Sequence, residues 1–171
     1  MLKALKIITT GEGGVGKTTF LNRYISGKFE SDFKMTKGIE FFSKEIKGIN
    51  GYNFHVILWD FAGQDHFRSL LPNFVKGSVG AFILFDMTRI STLERIEEWI
   101  KMIKSDEDVP ILILGTKSDL TNGNDQEFIR VYLSKIIEKY DCCFDFLLTS
   151  SKTGLNVIEA FDTLVKKIFE N

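Results

Sequence analysis

No apolar run in the 171 residues approaches the roughly 20 needed to span a bilayer; the runs that exist are strand-length. The N-terminus, Met1-Leu2-Lys3-Ala4, has no signal-peptide core, and Leu2 excludes N-myristoylation. Cysteine is scarce: the two present, Cys142 and Cys143, are neighbours, which argues against a disulfide framework. They read as reduced core or near-core residues of a cytoplasmic protein. Charge of one sign is missing as well. A formal net charge of −1 gives no electrostatic case for nucleic acid or an acidic membrane surface as partner. No repeat, linker or low-complexity stretch divides the chain, so one domain over 1–171 is expected, and 44% hydrophobic residues suffice for its core.

What is present begins with Gly11-Glu12-Gly13-Gly14-Val15-Gly16-Lys17-Thr18, which matches G-x-x-x-x-G-K-S/T and follows the apolar run Leu5 to Ile8. A polyphosphate must be wrapped by successive backbone N–H groups, and glycines let the chain turn with no Cβ in the way. Lys17 can reach the β/γ-phosphates, the Thr18 hydroxyl can ligate Mg²⁺, and the helix beginning there adds the positive end of its dipole. A glycine-rich turn between any strand and helix could carry part of this string. Strand, spacing, Lys-Thr and helix in order point to nucleotide.

Strand and helix signals alternate along the chain. Leu5–Thr9 reads as a strand, and Phe20, Leu21, Tyr24 and Ile25 as a core-facing helix stripe. Ile39–Lys47 and Tyr52–Asp60 flank Asn50-Gly51, a strong two-residue hairpin signal. Ala81–Phe85 and Ile111–Leu114 are nearly all apolar, as strands covered on both faces require. Leu93, Ile96, Ile100 and Ile103 fall at helical spacing, as do Ile129, Leu133, Ile136 and Ile137. Phe144–Leu148 reads as the last strand, and Val157, Ile158, Phe161, Leu164, Val165 and Ile168 as a closing amphipathic helix. A hairpin followed by strand–helix units predicts a three-layer α/β fold: a six-stranded, mostly parallel sheet with one antiparallel edge strand and helices on both faces. Ligands then belong over the carboxyl ends of the strands.

Further candidates fall at those ends. Val56-Ile57-Leu58-Trp59 runs into Asp60, the place for a carboxylate that holds Mg²⁺, directly or through water. Gly63 can present an N–H to a γ-phosphate, and Gln64 can orient a water. After Ile111–Leu114 comes Gly115-Thr116-Lys117-Ser118-Asp119. The Asp119 carboxylate can accept from guanine N1–H and the exocyclic amine. Adenine, with no N1–H and a donor at position 6, cannot make that pair, and would leave a buried carboxylate unpaired. Ser150-Ser151-Lys152, after the last strand, can offer a backbone N–H to guanine O6.

With these residues in order, the chain resembles the Ras-superfamily small GTPases, most of all the Rab branch, from about Leu5 to Phe169. Trp59-Asp60-Phe61-Ala62-Gly63-Gln64-Asp65 is similar to the W-D-T-A-G-Q-E of Rabs, and Thr36-Lys37-Gly38-Ile39-Glu40-Phe41 to their T-I-G-V-D-F. Leu84-Phe85-Asp86-Met87-Thr88 is similar to V-Y-D-I-T. The resemblance implies the P-loop NTPase fold and a GTP-hydrolysing switch that alternates between GDP and GTP with Mg²⁺. It implies nucleotide contacts from Gly11 through Thr18 and Thr19, and catalytic roles for Lys17 and Gln64. Thr36 would join Thr18 and Asp60 at Mg²⁺ in the GTP state only. Phe29 would lie against the guanine, Phe33 replaces a tyrosine that closes over the phosphates, and Gly13 would face Gln64. Phe41, Trp59 and Phe74 would form an aromatic effector face, though sheet packing accounts for the three equally well. The implied partners are effector, exchange-factor and GTPase-activating proteins, with no nucleic acid and no membrane insertion, around a monomer.

The chain also departs from the pattern. Thr116 replaces an asparagine whose amide serves base and loop, so weaker nucleotide binding is expected. Phe61 replaces a small polar residue. The chain ends Lys166-Lys167-Ile168-Phe169-Glu170-Asn171, with no cysteine to prenylate. Peripheral membrane association would therefore need a missing lipidated tail or a partner. No arginine lies between Phe29 and Thr36 to act in cis, so hydrolysis near 10⁻⁴ per second is expected, accelerated about 10³- to 10⁵-fold by a partner's arginine. Three other classes share parts of the pattern. An ATP-driven enzyme or nucleotide kinase would share the phosphate loop but not Lys117, Asp119 and Ser151-Lys152. A hydrolysis-deficient GTP-binding scaffold would not need Gln64 and Gly13, and a pure interaction module would need neither Lys17 nor Gln64.

Overall fold

The protein is described here from a computed structural model covering residues 3–31, 35–49, 52–105 and 108–170. Phe33 and the turn Asn50-Gly51 lie outside the described residues. The strands are β1 (Lys3–Gly11), β2 (Ile39–Ile49), β3 (Tyr52–Phe61), β4 (Gly80–Asp86), β5 (Ile111–Thr116) and β6 (Cys143–Leu148). The helices are α1 (Lys17–Ser26), α2 (Asp65–Arg68), α3 (Leu71–Val75), α4 (Ile90–Glu94), α5 (Ile96–Lys104), α6 (Gly123–Lys139) and α7 (Val157–Glu170). They form one sheet in the order β2-β3-β1-β4-β5-β6, in which only β2 runs antiparallel to its neighbour.

Period-2 alternation divides the core between the two faces. Ile7 packs with Val56, Leu58, Phe82 and Leu112 beneath α1 and α7, which contribute Phe20, Leu21, Phe161 and Leu164. The next residue, Ile8, packs on the other face with Ala81, Ile83, Ile111 and Ile113, against Trp99 and Ile100 of α5 and Ile129 and Leu133 of α6. Strands β4 and β5 are buried at every position, the reason they read as unbroken apolar runs.

Three expectations are amended. The strands run further than the apolar residues alone indicated, because β1 ends on Gly11 and β5 on Thr116, polar-side residues still within the ladder. The single helical stripe Leu93–Ile103 is carried by two helices that meet at Arg95, and all four of its apolar residues are nonetheless buried. Ile158 is not in the closing stripe: it is 67% exposed, because it lies about 100° around the helix from buried Val157. Ala160, buried completely, takes the core position instead. Cys142 and Cys143 are free and buried, in keeping with their reading as reduced core or near-core residues.

Candidate functional site

Strand β1 lies between β3 and β4, so the chain leaves its carboxyl end at the point where the connections turn to opposite sides of the sheet. A crevice must open there, and Gly11–Gly16 fills its floor. At Gly11, φ is 138°, and a Cβ would lie 2.2 Å from the Leu84 carbonyl oxygen of β4, so only glycine fits.

The direction of the loop's carbonyls defines the site. Lys17 Nζ donates to the carbonyls of Gly11 (2.9 Å) and Glu12 (2.8 Å). Arg89 Nη2 donates to that of Gly13 (2.8 Å) and Lys117 Nζ to that of Gly14 (3.2 Å). Thr116 Oγ1 donates to Val15 O at 2.6 Å, and the Phe20 N–H of α1 to Gly16 O at 2.9 Å. Every carbonyl from 11 to 16 is thus drawn onto a protein donor. None of the described peptide bonds is cis, so each N–H opposes the preceding carbonyl. The N–H groups of residues 12–16 are therefore turned the other way, a nest for an anion at the start of α1. Thr116 keeps one of the two contacts expected to be lost, the one to the loop. Replacing asparagine removes an amide, but the shorter hydroxyl still ties β5 to the loop through Val15.

Beside the loop, Thr18 Oγ1 lies 2.6 Å from Thr36 Oγ1 and donates to Asp60 Oδ2. Asp60 is fully buried, and its second oxygen, Oδ1, has no hydrogen-bond partner among the described residues. Burial raises its pKa from 3.8 to about 6, against the opposing pull of the Thr18 hydrogen bond and of Lys17. Burial likewise lowers Lys17 from 10.5 to about 8. A buried carboxylate with an idle oxygen beside two hydroxyls fits a hard divalent cation, and a buried amine beside a nest of N–H groups fits an anion. The described residues contain no cluster of three or more His, Cys, Asp or Glu that could hold a metal.

The connection after β3 closes on this floor. A Cβ on Gly63 would sit 2.3 Å from Gly13 N and Glu12 C, so the backbone there rests directly on the loop. Ala62 N–H donates to Gly38 O at 2.9 Å, and Gln64 Nε2 to Met35 Sδ at 3.2 Å. The segments that carry Thr36 and Gln64 therefore touch each other. Thr19 is half-buried on α1, and Phe29 lies exposed in the segment that follows.

At the far rim, Asp119 is exposed and its Oδ1 accepts from Ser150 Oγ at 2.6 Å. The Ser150 N–H donates to Leu155 O (3.1 Å), which removes it from the candidate donors to a base and leaves Ser151 and Lys152. Phe41, Trp59 and Phe74 form one cluster with Phe61. Phe41 meets Trp59 edge-on at 4.7 Å, and Trp59 and Phe74 lie 5.9 Å apart. Phe61, buried, packs on both Trp59 (6.3 Å) and Phe74 (5.8 Å), which is why an aromatic can stand where a small polar residue was expected. Only Phe41, 60% exposed, is a free surface; the other two are partly buried against the core.

Two sets of side-chain contacts around the loop were not read from sequence, although Glu12 was placed among the nucleotide contacts and Asp86 in a matched motif. Asp86, the last residue of β4, and Arg89, three residues beyond it, hold the loop from outside. Their position at a strand's carboxyl end was the available signal. Glu12 is paired with Arg68 of α2 and accepts from Trp99 Nε1 of α5 at 3.1 Å, so its charge is neutralised beside the phosphate nest. Nothing local in sequence connects residues 12, 68 and 99.

A glycine loop at a strand end of a β2-β3-β1-β4-β5-β6 sheet, with a lysine, two threonines and an aspartate around it, points to a class. Comparison with known proteins agrees: the model of the Ras family matches residues 6–170. The chain is 34% identical to Ras-related protein Rab-27B of Bos taurus, over 97% of this chain and 80% of the relative. It is 33% identical to Ras-related protein Rab7 of Pisum sativum (95% and 81%) and 31% to Ras-related protein RABA1b of Arabidopsis thaliana (96% and 74%). The chain belongs to the Ras family, and its relatives are Rab-like.

Proposed function

We propose that this chain acts as a single small GTPase domain that binds GDP and GTP and hydrolyses GTP to GDP and phosphate, with two loops that read the γ-phosphate. The observation that carries the reading is that every carbonyl from Gly11 to Gly16 is taken by a donor of the protein, which leaves the opposed N–H groups of the loop for an anion. Lys17 stands at the end of that floor. Asp119, Ser151 and Lys152 are the candidates for guanine recognition, Lys117 for bracing the loop beneath, and Phe29 for covering the base.

Phosphoryl transfer to water needs positioning and charge more than covalent help. Mg²⁺, held by Thr18, Thr36 and Asp60, would supply positive charge to the β- and γ-phosphate oxygens. Lys17 moves its donors from the loop carbonyls to the phosphates. Gly63 presents its N–H, and Gln64 orients the attacking water once its amide leaves Met35. Thr36 and Gly63 thereby hold both loops while the γ-phosphate remains and release them after it departs. Phe41, with Trp59 and Phe74 behind it, offers a face for effectors, and exchange factors and GTPase-activating proteins would act on the same loops.

The test is to identify the nucleotide released on denaturing purified protein, then to compete GTP, ATP and XTP for the site and follow GTP in single turnover. GDP or GTP in the released fraction, preference for GTP and slow phosphate release are expected. Preference for ATP would refute the guanine reading. GTP binding with no turnover would instead identify a scaffold.

A further inference from the structure

Arg89 is given no role of its own in the binding and chemistry above, yet it joins two structures that take part in them. It follows β4 by three residues, beside the carboxylate of Asp86, which is 1% exposed. Asp86 accepts from Thr88 N–H (2.9 Å), Thr88 Oγ1 (2.6 Å), Arg89 Nε (3.1 Å) and Lys117 Nζ (2.6 Å). Burial alone would raise its pKa, but the Lys117 and Thr88 hydrogen bonds outweigh that and hold it below the ordinary carboxylate value. The carboxylate is thus an ionised anchor. It fixes one edge of the Arg89 fork and leaves the other edge free to reach the loop.

That other edge, Nη2, donates to Gly13 O at 2.8 Å, across 76 residues of sequence. The Gly13 carbonyl and the Gly14 N–H belong to one trans peptide and point in opposite directions. A guanidinium on the carbonyl side holds that peptide in one orientation. It also polarises it, strengthening the N–H on the far side as a donor. Gly14 has φ of 72°, with no side chain to fix its peptide, so an external tie is what sets the direction.

We propose that Arg89, anchored by Asp86, is a positioning residue for nucleotide: it acts through the Gly13–Gly14 peptide and aims the Gly14 N–H at the bound phosphates. The proposal rests on the guanine-nucleotide reading of the site. Arg89 touches neither base nor phosphate. Its effect falls on how long phosphates are held rather than on which base is chosen.

The test uses the full chain loaded with a fluorescent N-methylanthraniloyl GDP, with dissociation followed on adding excess GDP. Arg89→Ala is expected to release the probe about tenfold faster, the scale of one charge-assisted hydrogen bond. Preference among GTP, ATP and XTP stays as in the wild type, since the base side is untouched. The Gly14 amide proton of the GDP-bound protein moves upfield as its N–H loses polarisation. Arg89→Lys restores the charge without the fork and recovers part of both changes. Arg89→Gln, similar in reach and neutral, releases the probe fast and carries the comparison if the alanine variant does not fold. Wild-type release together with an unmoved Gly14 amide in a folded neutral variant overturns the proposal. Wild-type protein that holds no guanine nucleotide overturns the functional reading and this proposal with it, and is seen before any variant is made.

Discussion

Asp60 and Lys17 show what the site costs the fold when it holds no ligand. Burial raises the folded pKa of Asp60 from 3.8 to about 6, so between those values the folded protein holds a proton that the unfolded chain has released. Stability from this group falls as pH rises through that window, and above about pH 6 the full cost is present. Lys17 runs the other way: burial lowers it from 10.5 to about 8, so its cost is full below pH 8 and fades toward 10.5. Asp60→Asn removes the buried charge and keeps the shape. In Mg²⁺- and nucleotide-free protein it is expected to be more stable than wild type at pH 7, by up to about 3 kcal/mol, and equal to it near pH 4. Its Mg²⁺-dependent GDP affinity falls tenfold or more on the scale of lost ligand contacts. Urea unfolding at both pH values decides the first point, and a less stable mutant at pH 7 would refute it. At Asp119, whose carboxylate is exposed and already accepts from Ser150, Asn keeps the size but exchanges an acceptor for a donor. Asp119→Asn is therefore expected to shift preference from GTP toward XTP, whose position-2 carbonyl suits an amide. Competition binding that leaves GTP preferred would remove Asp119 from base recognition.

At the scale of elements, the connection between β3 and α2 is set by how closely backbone meets backbone. Gly63 packs on Glu12 and Gly13 with no space for a Cβ, while Gly38 O receives the Ala62 N–H and Met35 receives the Gln64 amide. The three segments can close on one small ligand group because nothing bulky separates them. In Gly63→Ala the methyl must push the connection off the loop, so the segments around Thr36 and Gln64 cannot close together. Nucleotide binding is expected to survive, because the nest lies beneath. GTP hydrolysis is expected to slow by an order of magnitude or more, since positioning supplies most of the catalysis. Hydrogen exchange gives a second reading: in wild type the GTP form is expected to protect residues near Thr36 and Gln64 relative to the GDP form, and in the variant that difference is expected to shrink. Unchanged exchange and turnover in the variant would show that the close packing at Gly63 has no functional consequence.

The whole molecule holds these elements in place through the layers on either side of the sheet. Phe161 of α7 stacks on Tyr24 (3.5 Å) and Phe20 (5.3 Å) of α1 and meets Phe82 of β4 at 4.9 Å, so one ring ties two helices to the central strands. All of it lies below the loop whose helix is α1. Phe161→Ala is expected to cost roughly 3–5 kcal/mol in urea unfolding, by lost transfer energy and the cavity left behind. GDP with Mg²⁺ is expected to recover part of that loss, because ligand that binds only the folded state stabilises by mass action. A cost below about 1 kcal/mol would mean that α1 and α7 repack without the ring.

Much of this was legible in the sequence because it depends on neighbours along the chain. The glycine loop follows its strand immediately, so Gly11 to Thr18 could be read as a phosphate nest, and unbroken apolar runs marked β4 and β5 because both faces of a central strand are buried. Strand ends were legible to within about two residues, close enough to put Asp60 and Asp119 near the carboxyl ends of β3 and β5 before any geometry was known. Ile158 was misjudged where the rule was simple: adjacency to Val157 is not adjacency on a helix, and a turn of 100° carried it into solvent. Tertiary structure alone decided what joins residues distant in sequence. The reach of Arg89 to Gly13, the pairing of Glu12 with Arg68 and Trp99, and the shelter Phe61 finds against Trp59 and Phe74 all depend on which strand ends the sheet order brings together. Local pattern records the period of an element and the chemistry of its ends. Which side chain completes which carbonyl is fixed only when the sheet has set the spacing between them.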